Sequence, residues 1–400
     1  MPDRFDWISR ELQRLDALGV VRKRRRVTSQ AGGSCEIDGR CYRNFSSNDY
    51  LDLAHDPRVV EAAARALAEF GAGAGSSALV TGRTDWHARL EEMIADFEGQ
   101  PAAVIFPTGY AANIGTVAAL AGKEDAIFSD ALNHASLIDG CRLSGAKVHV
   151  YDQTRLRELE ESLRSATDYR RRFLITDTLF SMDGIAAPLA ELCDLAEKYG
   201  AEVIADEAHA TGVFGQRGRG LSEELGLEAR IAVRVGTLSK AVGSLGGFVA
   251  GATPLVDWLW NRARTQMFST ALPPATCAAA CAAIEIIQKE PERRAHLAQL
   301  SARLRSNLAA EGLAGNANGV GPVIPVILGT PDATMSVASG LQEQGMLVAA
   351  IRPPTVPEGT SRLRISVTAA HTLDDIDELT NALLGAVERS SARKSVQSRN

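Results

Sequence analysis

Seven short apolar runs recur between residues 102 and 251, and they constrain the fold more than any other feature of the chain. They are AAVIF (102–106), DAIFSD (125–130), KVHVY (147–151), RFLITD (172–177), EVIAD (202–206), IAVRVGTL (231–238) and GGFVAG (246–251). Each has the length of a buried strand, and helical spacing fills several of the gaps between them, as at 111–121, 154–166 and 188–199. Such alternation predicts an α/β fold with a mostly parallel central sheet flanked by helices.

The flanks read differently. Residues 4–26 carry apolar positions at helical spacing (Phe5, Ile8, Leu12, Leu15, Leu18) and end in the basic run Arg22 to Arg26. CEIDGRCYRNFS follows, with Asp38 and Gly39 as a hairpin turn, and then a helix is expected over 57–70. Past a helix-rich stretch at 273–313, strands at 323–328, 346–351 and 361–367 with helices at 333–344 and 373–388 predict a smaller α/β layer. At 400 residues the chain exceeds what one growing core accommodates. The expected division is an N-terminal helix and hairpin arm (1–55), a large domain (56–288), a smaller α/β C-terminal domain (289–388) and a polar, disordered tail (389–400).

Hydrophobic residues make up 45% and charged residues 23%, which argues for a packed globular chain, and the net charge of −6 gives no support to nucleic-acid binding. No apolar stretch reaches the ~20 residues that span a bilayer, and the charged N-terminus lacks a signal-peptide core, so a cytoplasmic protein without membrane contact is expected. The six cysteines show no CxxC spacing, so neither a metal site nor a disulfide framework is indicated.

Ligands of open α/β sheets collect at the carboxyl ends of the strands. Here Ser181 follows the strand 172–177, Asp206 ends another with His209 three residues on, Thr237 and Lys240 close a third, and His134 lies beyond a fourth. In PTGYAAN, Gly109 and Tyr110 begin a helix, where backbone amides form a ready anion site. Singly these are weak signals: an aspartate after a strand is more often a cap, and a lone histidine is as readily structural. Lys240 follows Ser239, so the Gly-Lys pair of a phosphate-binding P-loop is missing. GAGAGSS (71–77) follows a helix, which leaves a nicotinamide site poorly supported.

Together, a strand-end carboxylate, a strand-end lysine, two histidines and a helix start resemble the pyridoxal 5'-phosphate site of fold-type I aminotransferase-like enzymes. NFSSNDYL (44–51), NHASLIDG (133–140), LFSMDG (179–184), DEAHATGVFG (206–215) and GTLSKAVGSLGG (236–247) resemble the α-oxoamine synthases, which condense an amino acid with an acyl thioester and decarboxylate the product. IRPPTVP and TAAH, within residues 350–371, are similar to the branch that uses L-alanine with pimeloyl-CoA or a pimeloyl-carrier protein. Branches using glycine with acetyl- or succinyl-CoA, or serine with a long acyl-CoA, stay open as alternatives. YLDL, with Asp52 where the family usually has glycine, departs from the pattern.

The resemblance implies roles residue by residue. Lys240 would bind the cofactor covalently and then remove the α-proton of alanine. Asp206 would pair with the pyridine nitrogen, His209 with the phenolic oxygen, and His134 would meet both the ring and the substrate. Ser181 and Thr237 would contact the cofactor, and Gly109 and Tyr110 would face its phosphate. Ser269 and Thr270 would reach the phosphate bound by a neighbouring subunit, implying a homodimer with active sites at the subunit interface. Arg364, on one strand face with Arg362, would bind the amino acid's carboxylate with Asn48, and Arg22 and Thr355 would contact the acyl substrate.

Overall fold

A computed structural model of the protein describes residues 4–22, 24–313, 315–316 and 318–397, the side chains beyond 390 excepted. The chain forms two compact units, residues 1–47 with 298–400, and residues 48–297.

In the first unit the N-terminal helix covers Asp6–Ala17 and stops at Gly19 (φ 65°), where Val20 N donates to Leu15 O at 3.0 Å. That left-handed glycine ends the helix, so the basic run lies beyond it instead of forming its last turns. Strands β1 (Val27–Ala31), β2 (Ser34–Ile37) and β3 (Arg40–Asn44) form an antiparallel meander. Asp38 (φ 53°) and Gly39 (φ 75°) make the tight turn between β2 and β3, both in the left-handed region that such a turn requires.

The second unit is built on a seven-stranded sheet. Its strands are β4 (Ala102–Phe106), β5 (Ala126–Asp130), β6 (Lys147–Tyr151), β7 (Arg172–Asp177), β8 (Glu202–Asp206), β9 (Val233–Thr237) and β10 (Gly247–Gly251). Their spatial order is β4-β10-β9-β8-β7-β5-β6, parallel except for β10, which runs antiparallel to both neighbours. Val104, Phe106, Ile127, Ile175, Ile204, Val235 and Val249 share one buried cluster with Val117 and Leu137 from helices laid on the sheet. Burial on both faces explains the near-continuous apolar strands read from the sequence.

The remaining strands are β11 (Val323–Gly329), β12 (Met346–Leu347), β13 (Ala349–Ile351) and β14 (Ser361–Ser366). β14 is the centre of a sheet ordered β11-β14-β13, and β12 pairs in parallel with β3. Phe45 O accepts from Ser366 N at 2.8 Å, and the Phe45 ring stacks on His371 at 4.2 Å. Residues 1–47 therefore belong with the C-terminal segment, where a separate N-terminal arm ending at residue 55 was expected. The last helix, Leu373–Gln397, runs through most of the segment expected to be a disordered tail, and residues 398–400 lie outside the described residues. Among the described residues no helix is long and apolar enough to cross a membrane.

Candidate active site

The carboxyl ends of β7, β8 and β9 converge with the start of the helix Gly109–Leu120. Asp206, the last residue of β8, is buried; its Oδ2 accepts from Asn113 Nδ2 at 2.6 Å and its Oδ1 from Ala208 N at 2.8 Å. Asn113, one helical turn beyond Gly109, also donates to Ser136 Oγ at 2.8 Å. This carboxylate is held by donors on two sides, which fixes its orientation before any ligand arrives.

Lys240 is the third residue of the loop between β9 and β10 and is half-buried. The loop folds on itself. Thr237 Oγ1 donates to Gly246 O at 2.9 Å, Gly246 N donates to Ser239 Oγ at 3.1 Å, and Gly243 N donates to Lys240 O at 2.8 Å. Gly243 has φ 68° and passes so close to residues 53–54 that a Cβ would stand 2.5 Å from Ala54 N. A side chain there would push the lysine loop off its support.

The helix start at Gly109 sits against β9 and β10. A Cβ on Gly109 would meet Thr237 Oγ1 at 3.0 Å, and one on Gly247 would meet Gly109 Cα and Thr108 O, each at 2.6 Å. Thr108 caps the helix by accepting from Ala111 N at 3.0 Å, and the first-turn amides, lacking partners within the helix, form an anion-binding end. At Gly247 the close approach of the 108–109 backbone leaves no space for a side chain.

His134 caps the next helix, Ala135–Ser144; its Nδ1 lies 2.8 Å from Ser136 Oγ, and its backbone N donates to Asp177 Oδ2 at 2.6 Å. The imidazole stays below its ordinary pKa chiefly through desolvation, with Lys240 acting in the same direction and Asp206 opposing. The Tyr110 ring stands edge-on to it at 6.3 Å, and the Tyr110 hydroxyl donates to Asp139. His209 is buried with Nδ1 2.7 Å from the Tyr50 hydroxyl, which also reaches Asn48 Oδ1 at 3.4 Å. Ser181 lies half-buried in the turn after β7, whose ends are tied by Phe180 N to Ile185 O at 2.9 Å.

Ser269 and Thr270 run along the glycine-rich segment, with Thr270 bridged to Ser77 and Ala271 N donating to Ser76 O at 3.0 Å. In the other unit, Arg22 Nη2 donates to Thr355 Oγ1 at 3.0 Å, joining two residues 333 positions apart. Arg364 and Arg362 are both buried in the central strand β14, and Arg364 Nη1 donates to Ser366 Oγ at 2.8 Å. Neither arginine is a surface residue of a sheet edge. Sequence reasoning missed Asn113, Tyr50 and Asp177, although RFLITD and EVIAD both end in aspartate, a signal that two carboxylates close adjacent strands.

The residues fit pyridoxal phosphate: an oriented buried carboxylate suits a protonated ring nitrogen, a half-buried loop lysine suits an aldehyde, and a helix N-terminus opening on glycine suits a phosphate. A strand-end carboxylate and a loop lysine at the same end of a mostly parallel sheet match a pyridoxal-phosphate enzyme of the aminotransferase-like fold. The chain belongs to the aminotransferase class I and II family, whose model matches residues 42–383. It is 48% identical over 379 residues to the 8-amino-7-oxononanoate synthase of Anaeromyxobacter dehalogenans (strain 2CP-1), covering 95% of each chain. A variant of serine palmitoyltransferase from S. paucimobilis, solved with a bound PLP–myriocin aldimine, matches with a TM-score of 0.92 and 31% identity over 97% of this chain and 98% of its own. The 8-amino-7-oxononanoate synthase of Francisella tularensis matches with a TM-score of 0.75 and 27% identity over 87% of this chain and 98% of its own.

Proposed function

We propose that the protein joins L-alanine to a pimeloyl thioester, on CoA or a carrier protein, to give 8-amino-7-oxononanoate, CO2 and the free thiol in biotin biosynthesis. The observation that carries this reading is the gathering of Asp206, His134 and Lys240 at one end of one sheet, in a chain 48% identical to a synthase of that name. When bound, pyridoxal phosphate supplies an electron sink that makes the α-carbon of the amino acid acidic. Lys240 would hold the cofactor, and its amine would take a proton from that carbon. Asp206 keeps the ring nitrogen protonated, His209 orients the phenolic oxygen, Ser181 and Thr237 contact the cofactor, and the amides at Gly109 and Tyr110 receive the phosphate. His134 meets the ring and the substrate, Asn48 assists with the amino acid, and Arg364 offers its carboxylate a bidentate partner. Arg22 and Thr355 contact the acyl chain.

The enzyme is proposed to act in the cytoplasm as a homodimer, with Ser269 and Thr270 serving the neighbouring subunit's cofactor. The exposed Val80 (74%) and Phe268 (68%), beside the glycine-rich segment and Ser269 respectively, support that pairing. Sedimentation should give twice the chain mass.

A second reading, serine with a long acyl-CoA, has the TM-score of 0.92 in its favour. Thiol release measured with pimeloyl-CoA and long acyl-CoA against alanine, glycine and serine separates the two. Alanine with pimeloyl-CoA should be fastest; faster turnover of glycine, or of serine with the long donor, contradicts the proposal.

A further inference from the structure

Asp177 has no role in the chemistry described so far, yet it is as buried as Asp206, each 4% exposed. The two aspartates are the last residues of neighbouring parallel strands and stand opposite each other in the register of β7 and β8. On its other side, Asp177 is locked to the segment that carries His134. Its backbone N donates to Asn133 Oδ1 at 2.8 Å, and its Oδ2 accepts from His134 N at 2.6 Å. Asn133 is itself anchored by Nδ2 to Ile175 O at 2.9 Å and to Ser129 Oγ at 3.0 Å. The clamp therefore ties the histidine's backbone to the end of β7.

A buried carboxylate beside a second one is harder to ionise, and donors around each group act against that cost. Asp206 receives hydrogen bonds at both oxygens, from Asn113 Nδ2 and Ala208 N. Around Asp177 the charged groups are Asp206, Asp130 and Lys240; burial first, and then the Asp206 charge, push its carboxyl well above the usual carboxylate range.

We propose that Asp177 is a positioning residue: its carboxyl, held beside Asp206 as the neutral acid, fixes the His134 amide and so the imidazole. What His134 and Asp206 are positioned for rests on the pyridoxal-phosphate reading of the site.

The test compares the full-length wild type with Asp177→Asn, Asp177→Ala and Asp206→Asn. In infrared spectra of the purified chain at neutral pH, without added cofactor, the wild type minus Asp177→Asn difference should show a protonated-carboxyl band. An ionised-carboxylate band in its place overturns the proposal. In titrations with pyridoxal phosphate, Asp177→Asn, which matches the neutral acid in shape and still accepts from His134 N, should bind within about twofold of wild type. Asp177→Ala orphans a buried amide and should bind about tenfold more weakly or worse. Asp177→Asn binding as poorly as Asp206→Asn overturns the proposal, as does Asp177→Ala binding like wild type. Failure of the wild type itself to bind pyridoxal phosphate would sink the cofactor reading, and the infrared result would still decide the protonation of Asp177.

Discussion

The Tyr50 hydroxyl lies 2.7 Å from His209 Nδ1, so a tyrosine from the start of the second unit's chain fixes the orientation of a histidine that follows β8. Tyr50 is completely buried. Tyr50→Phe keeps the packing and removes the hydrogen bond to His209 Nδ1. Its kcat/KM should fall by about tenfold, and its stability in urea should fall by about 1 kcal/mol with the loss of a buried hydrogen bond. A variant as active as wild type would remove the tyrosine from the site.

Asp206→Asn keeps the shape of the carboxylate and loses its charge. A neutral amide cannot hold a cationic ring nitrogen, so kcat should drop by about a hundredfold or more. Single-turnover kinetics with alanine and pimeloyl-CoA measure this, and a loss under threefold would contradict the assignment.

Gly247→Ala tests the backbone cradle. The added methyl would stand 2.6 Å from Gly109 Cα and Thr108 O, both main-chain atoms that cannot swing aside. The helix start must shift, so stability should fall by about 1–3 kcal/mol and cofactor affinity should weaken. Urea denaturation and a binding titration read the two effects separately.

Much of this architecture is legible from residues alone, for a local reason. Strands such as EVIAD and RFLITD carry their burial in five or six letters, and Asp38-Gly39 carries its turn in two. Illegible were features that depend on partners distant in sequence. Asn113 reaches Asp206 from 93 positions away, and Tyr50 reaches His209 from 159. The placement of residues 1–47 with the C-terminal segment depends on parallel pairing of Met346 with Arg43, which no periodicity announces. The early end of the first helix is the exception, because LDALGV places Gly19 where a left-handed stop belongs.

Asp52 departs from the family's glycine, and its backbone explains why glycine is usual there: φ is 54°, a region disfavoured by side chains and tolerated by aspartate. Asp52→Gly should raise stability by on the order of 1 kcal/mol, with unchanged turnover. Thermal denaturation checks it, and a lower melting temperature would show that the aspartate makes a compensating contact.

His371 sets an acid limit. Burial against Phe45 pushes its imidazole down to about 4, with Asp375 opposing. Between about 6.5 and about 4 the unfolded chain binds the proton and the folded chain does not, so stability falls as pH drops through that window. The contribution lost is about 3 kcal/mol. His371→Gln does not titrate, so the stability gap between it and wild type should narrow from pH 7 to pH 4.5; a constant gap would contradict the shift.

The central claim is that Lys240 anchors the cofactor, and chemical trapping tests it directly. The protein is incubated with pyridoxal phosphate, reduced with borohydride and digested, and the modified peptide is sequenced by mass spectrometry. A stoichiometric adduct on Lys240, absent in Lys240→Ala, is predicted. A stoichiometric adduct on another lysine, or none, would contradict it.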